Sequence, residues 1–370
     1  VNSLKLTGEY GEDRATKKVE FLRRAGWGEG SINPMQADAS MRTYDSVYID
    51  RPSGVRSAIL MDAHPAYDLR TREFLLFTRI LREYGFSAPE IYCEDQENGF
   101  VLLEHLGAGL FTNVIKENSC DIRDIYRYAV DLLLELSILS KEIKSDVISS
   151  SLAIESGSSF NMYYSEEEYY REIDLFPRWW LAIDGGCKGE TSSSLLEDFR
   201  TLASQLCKIA AINQDCLVLR DYHADNLLLL EDRVGIANVG LLDYQDAVFG
   251  HYIYDLVSLL QDARYDIGKE LEDDMINYYL SRAIGRGIVN SHEEFRAMYH
   301  IYGFQRNLKI IGVFVRLSRV YEKHNYINMI PRVWSYVNER NIVGCPGEMD
   351  DLVAIVKKYA ATDIEWIINT

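Results

Sequence analysis

Apolar and polar positions change rhythm about a third of the way along the chain. Over the first hundred residues the signals are short and β-like. Thr43 to Asp50 (TYDSVYID) reads as a strand, a turn follows at Pro52 to Gly54, and Ser57 to Met61 (SAILM) reads as its partner. Phe74, Phe77, Leu81 and Tyr84 then recur at spacings of three and four, which predicts a helix. Two further strands are expected around Pro89 to Cys93 and Phe100 to Glu104, joined by a turn at Asn98-Gly99. Strands, one helix, then more strands suit a mostly antiparallel sheet with a helix packed on it.

Beyond Gly107 long amphipathic segments take over. Helices are predicted over Ile122 to Lys144, Glu166 to Leu181, Leu195 to Ala211, and several between Tyr252 and Arg340. One compact β-rich stretch, Leu217 to Leu242, interrupts them. The Ser- and Gly-rich segment from Ser149 to Phe160 is expected to be a mobile loop. The class is therefore α+β: a small β-rich lobe over 1–104 and a larger helical lobe over 105–370.

Composition narrows the function. The 370 residues carry 39 Lys+Arg against 57 Asp+Glu, a formal charge of −18, which leaves little from which to build a broad basic face for nucleic acid. No apolar run approaches the roughly 20 residues of a membrane span. The first twenty residues mix Lys5, Glu9, Glu12, Asp13, Arg14 and Lys17 and lack a signal-peptide core. The six cysteines form neither a zinc spacing nor a disulfide framework, which fits a reducing compartment. A soluble, cytoplasmic protein with a small-molecule ligand is expected; composition does not address its oligomeric state.

The chemistry concentrates in LVLRDYHADNLLLL (217–230) and VGLLDYQDA (239–247). An apolar strand delivers Asp221, Asn226 follows five residues later, and a second strand ends at Asp243. Phosphoryl transfer asks for these types: one carboxylate to orient or deprotonate an incoming hydroxyl, and a carboxamide with a second carboxylate to hold magnesium against nucleotide phosphates. One such residue is explained by ordinary turn chemistry. Three at this spacing, between apolar strands, are not.

LRDYHADN resembles the catalytic loop of the aminoglycoside phosphotransferase family, the small-molecule relatives of protein kinases. LLDYQDA resembles that family's magnesium motif, and YDLVSLLQDAR (254–264) its following helix. The resemblance implies a protein-kinase-like bilobal fold that uses ATP and Mg2+, with Asp221 as catalytic base and Asn226 and Asp243 as metal ligands. It places a phosphate-covering turn at ADASMRTY (37–44), where Ser40 and Arg42 would meet the nucleotide, and an adenine-binding hinge in GFVLLEHLG (99–107), around Glu104 to Leu106.

One departure stands out: the third strand carries Met61 where kinases carry a lysine, leaving Glu73 on the next helix without its usual partner. This favours a non-catalytic nucleotide-binding module as one alternative, and an antibiotic-type aminoglycoside kinase is another. Within the superfamily, FLRRAGWG (21–28), DASMRTY, ILMDAHP (59–65), GFVLLEHLG, LFPRWWL (175–181) and QRNLKIIGVFVRL (305–317) are similar to bacterial cell-wall sugar kinases. These phosphorylate the anomeric hydroxyl of N-acetylmuramate and N-acetylglucosamine, and that group also carries the methionine. In this reading Arg264, Arg306 and Lys309 are candidate contacts for an acidic sugar, set against structural ion pairing. Asp255 and His223 are expected to brace and shape the catalytic loop. Asp246 is open between metal support and helix capping, and Trp179 and Trp180 between sugar stacking and core packing.

Overall fold

The computed structural model describes residues 9–35, 42–52, 54–68, 70–153, 162–181, 193–341 and 347–360. They fall into two compact units, one built from 1–109 with 228–246, the other from 110–227 with 247–370.

The first unit is an antiparallel sheet of five strands: β1 (Ser31–Pro34), β2 (Thr43–Arg51), β3 (Gly54–Asp62), β4 (Ile91–Asp95) and β5 (Phe100–Glu104), in the order β1-β2-β3-β5-β4. Alternation assigns the faces. Val47 and Ile49 of β2, Ala58 and Leu60 of β3, and Phe100 and Leu102 of β5 form one buried cluster with Phe21, Leu22 and Trp27. Phe21 and Leu22 come from helix α1 (Glu9–Arg24), which the apolar pattern does not reveal, because these two residues are the apolar anchors near its end. The polar side of α1 ties down as well: Lys18 reaches Asp45 at 2.7 Å, and the Arg14 Nε reaches Asp62 at 3.1 Å. Met61 pairs with Tyr44 and Val101 and is fully buried.

Helix α2 (Thr71–Glu83) buries Phe74, Leu75, Phe77, Ile80 and Leu81, as its spacing predicts. The turn at Gly99 needs glycine: φ is +72°, and a Cβ there would lie 1.9 Å from the Ala63 carbonyl oxygen. The short strands β7 (Leu227–Leu229) and β8 (Val239–Leu241) pair with each other. The Leu241 N–H donates to the Ser87 carbonyl at 3.0 Å, and Arg233 donates to the Ser87 hydroxyl at 2.8 Å and to Glu104. These bonds group 228–246 with the first unit, so a single cut after Glu104 does not reproduce the compact units.

The second unit is mainly helical. It contains α3 (Phe111–Lys116), α4 (Ile122–Ala153), α5 (Glu166–Ile173), α6 (Ser193–Ala210), α7 (Ile253–Leu260), α8 (Gly268–Gly285), α9 (His292–Tyr321), α10 (Ile330–Ser335) and α11 (Asp350–Ala360). The strand pair β6 (Cys216–Val218) and β9 (Val248–Gly250) lies among them. Ser165 caps α5 by accepting the Glu168 N–H at 3.2 Å, but the helix expected to reach Leu181 stops at Ile173. A π-helical turn, Phe176–Leu181, follows and contains Pro177. The start of the expected mobile loop, 149–153, is the last turn of α4, and 154–160 lie outside the described residues. Trp180 is core, packed edge-on to Trp334 at 5.3 Å, whereas Trp179 is half-buried.

Candidate active site

In the second unit, β6 ends in a turn that few L-residues adopt. Arg220 has φ +70°, and the Asp221 N–H donates back to the Leu219 carbonyl at 2.9 Å, closing a three-residue γ-turn. A non-glycine residue held there costs about 1–3 kcal/mol and persists only when its surroundings over-determine it. Here they do. The Asp255 carboxylate accepts both the Leu219 N–H (2.6 Å) and the Arg220 N–H (2.9 Å). One turn along α7, the Ser258 hydroxyl donates to the Arg220 carbonyl at 3.3 Å and accepts from Arg306 at 2.8 Å. Burial pushes the Asp255 carboxyl up to about 7, against its two backbone N–H bonds and Arg306.

The Arg220 side chain reaches Glu172, whose other oxygen accepts from the Tyr164 hydroxyl; Lys309 donates to Glu172 at 2.7 Å and to the Tyr254 hydroxyl at 3.3 Å. Burial alone would raise the Glu172 carboxyl, but Lys309 and Arg220 overcome it and hold it at about 2. Asp221 itself is exposed, and Tyr222 beside it is buried with its hydroxyl on the Ala129 carbonyl at 2.9 Å.

A short 3-10 turn, Ala224–Asn226, carries the next group. Asn226 Nδ2 donates to the Asp221 carbonyl at 3.0 Å and lies 3.4 Å from His223 Nε2. Arg264 approaches the same ring nitrogen at 3.2 Å and Asp225 at 3.4 Å. Burial, with Arg264 and Arg306 nearby, drives the His223 pKa well below its ordinary value.

The first unit holds Asp243. It is exposed and sits at φ +57°, with Gln245 donating to its Oδ1 at 2.8 Å. Its neighbour Tyr244 fixes it from below, stacked on Phe74 at 5.3 Å and bonded to the Thr78 hydroxyl at 2.8 Å. Arg42 is buried and paired with Asp68 (Nη2 to Oδ1, 3.2 Å), which satisfies its charge within the unit. The Glu104 carboxylate accepts the Glu90 N–H at 3.0 Å and pairs with Arg233, so its side chain is a strut and its backbone is what remains for a ligand. Leu106 is half-buried. Asp246 pairs with Arg70 at 3.6 Å. Glu73 is 7% exposed, and its Oε2 has no hydrogen-bond partner among the described residues. Ser40 lies outside the described residues.

The structure places Asp221 and Asn226 on the braced loop and gives part of the expected cationic set structural partners instead. Arg306 is only 6% exposed and serves Ser258, and Lys309 is committed to Glu172, so neither forms an open wall for an acidic sugar. Arg264 stays half-buried at the loop, on His223 and Asp225. Glu172 was missed: its partners Arg220 and Lys309 lie 48 and 137 residues away, and no local spacing signals them.

Among the described residues no cluster of three His, Cys, Asp or Glu is able to hold a metal ion unaided. Magnesium needs only one or two protein oxygens and completes its octahedron with water and phosphate. Asp243 and Asn226 offer hard oxygens of that kind.

The chain belongs to the phosphotransferase enzyme family (APH), whose profile matches residues 37–292. It is accordingly a kinase-type enzyme with the protein-kinase-like α+β fold. Its curated relatives include the N-acetylmuramate/N-acetylglucosamine kinase of Pseudomonas aeruginosa, 31% identical over 323 residues (86% of this chain and 87% of that protein). The kinase of the same name from Pseudomonas putida is 29% identical over 349 residues, covering 92% and 93%. Among solved structures, an APH(2")-type aminoglycoside phosphotransferase with GDP and kanamycin matches with TM-score 0.53 at 13% identity (88% of this chain, 99% of that one), a likeness of fold. Among the described residues no helix is long and apolar enough to cross a membrane.

Proposed function

We propose that the chain transfers the γ-phosphoryl group of ATP to the anomeric hydroxyl of an N-acetylated amino sugar, N-acetylmuramate or N-acetylglucosamine. The observation that carries the reading is the braced γ-turn that leaves the Asp221 carboxylate exposed, in a chain similar over 86% of its length to a kinase of that name. Asp221 orients the sugar hydroxyl and accepts its proton as the bond to phosphorus forms. Asn226 and Asp243 are the residues that would hold Mg2+, which would supply charge neutralisation at the phosphates. Ser40 and Arg42 with the Glu104 to Leu106 backbone serve the nucleotide, Arg42 from its Asp68-paired position. Arg264 is the remaining candidate for the sugar side.

A second reading, nucleotide binding without turnover, draws on Met61 and on the unpartnered Glu73 oxygen. ADP release with N-acetylmuramate, N-acetylglucosamine, glucosamine and kanamycin as acceptors separates the readings. The proposal expects turnover with the N-acetylated sugars and an anomeric phosphate by 31P NMR. Turnover confined to kanamycin, or none with any acceptor, overturns it.

A further inference from the structure

Asn226, His223 and Arg264 form a chain of hydrogen bonds whose polarity is fixed at both ends. A guanidinium has donors only, so where Arg264 Nη1 meets His223 Nε2 at 3.2 Å the ring nitrogen must accept. The imidazole is then neutral, with its proton on Nδ1. At the other end, the Asp221 carbonyl can only accept, so the carboxamide branch 3.0 Å from it must be the Asn226 amino group. That amino group has a second N–H, and His223 Nε2, 3.4 Å away, meets it, its one lone pair shared with Arg264 in a three-centre bond. His223 is 4% exposed, so bulk water is excluded as a replacement partner. Arg264 is held in turn, by Asp225 at 3.4 Å and through its own backbone N–H on Asp262 at 2.8 Å. With both amino hydrogens taken, Oδ1 is the opposite branch, and it accepts no hydrogen bond among the described residues.

We propose that His223 and Arg264 are positioning residues that lock the Asn226 carboxamide in the one orientation that offers Oδ1, and not the amino group, to a divalent cation. The inference rests on the proposed kinase reading and deepens it by naming what makes Asn226 a metal ligand. Without the acceptor at His223 the amide is held by the Asp221 carbonyl alone, and the flipped state would turn two N–H dipoles toward the ion.

The test is titration calorimetry of ATP binding with and without Mn2+, on the full chain. His223→Leu removes the acceptor, and His223→Gln restores one through its side-chain carbonyl. His223→Leu is expected to weaken Mn2+-dependent ATP binding about five- to tenfold, the range set by one hydrogen bond, and to leave metal-free ATP binding within twofold. His223→Gln is expected to recover most of the difference. Equal loss with and without metal, no loss, or no recovery in His223→Gln overturns the proposal.

A second measurement needs neither metal nor a folded variant. In 15N-histidine NMR of the wild-type chain with its seven histidines, one buried imidazole should show an unprotonated Nε2 and a protonated Nδ1 at pH 7, and a nuclear Overhauser contact to the Asn226 amino group identifies it. The reversed tautomer overturns the assignment. Failure of the wild-type chain to show any Mn2+ enhancement sinks the kinase reading together with this one, whereas wild-type enhancement that His223→Leu leaves untouched sinks this one alone.

Discussion

Asp221 stands on a turn that its neighbours hold against backbone preference, so its carboxylate is exposed while the residues on either side are anchored. Replacing it as Asp221→Asn keeps the size and the turn but removes the proposed proton acceptor; turnover should fall about 10²- to 10⁴-fold with melting temperature little changed, by steady-state kinetics and thermal unfolding. Activity within a few-fold of wild type would take the base role away from Asp221. Glu172 acts on stability. Its folded pKa of about 2 lies below the ordinary carboxylate value of 4.5, so the stability it contributes is fully present above about pH 4.5 and is lost as the pH falls toward 2. Glu172→Gln leaves Lys309 and Arg220 sharing a buried site without their counter-charge, a loss on the order of 3 kcal/mol at pH 7. Urea unfolding should show that gap narrowing between pH 4.5 and pH 3, and a constant gap would refute the linkage. The contrast explains what a sequence reader sees. Asp221, Asn226 and Asp243 announce themselves because the proposed reaction calls for their types and one loop and hairpin set their spacing. Glu172, Arg220 and Lys309 do not, because a buried ion pair leaves no periodicity behind.

Helix α9 carries constraints that its sequence hides. Gly312 lies in the interior of this 30-residue helix, where alanine would ordinarily gain roughly 1 kcal/mol in helix propensity. Here the sign reverses, because an added Cβ would lie 2.4 Å from the Leu175 carbonyl carbon, just before the π-helical turn at Phe176–Leu181. Gly312→Ala should destabilise by about 1–3 kcal/mol through overpacking, read as a lower melting temperature; an unchanged or raised value would mean that the helix and Leu175 separate easily. The π-helical turn was illegible for a related reason. FPRWWL has the apolar content of a helix continuing from α5, and only packing against α9 and Trp334 selects the wider turn around Pro177. Strands β2 and β3 were readable because one face of each carries residues of the cluster beneath α1, whereas β5 is buried on both faces and reads as a continuous apolar run. The helix α1 was not readable, since its contacts to the sheet include the charged pairs of Arg14 and Lys18 as well as apolar residues.

For the whole molecule, the order of segments along the chain and their grouping in space differ, and the difference has a folding consequence. Residues 1–109 supply the sheet and α2 but leave several groups without partners that residues 228–246 provide. The Ser87 carbonyl loses the Leu241 N–H, Glu104 loses Arg233, and Thr78 and Phe74 lose Tyr244. A buried acceptor left unsatisfied costs about 1–3 kcal/mol, and folded domains have only about 5–15 kcal/mol in hand. The fragment 1–109 should therefore lack a cooperative thermal transition by circular dichroism. The Leu229 N–H donates to the Gly109 carbonyl at 2.7 Å, so a short Gly/Ser linker from Gly109 to Leu228 closes the gap at little entropic cost. The joined chain, 1–109 with 228–246, should melt cooperatively. Cooperative melting of 1–109 alone at the same temperature as the joined chain would show that the hairpin bearing Asp243 is a passenger on the first unit and not part of its core. In that case the position of Asp243 would have to be fixed by something other than the anchoring of Tyr244 beneath α2.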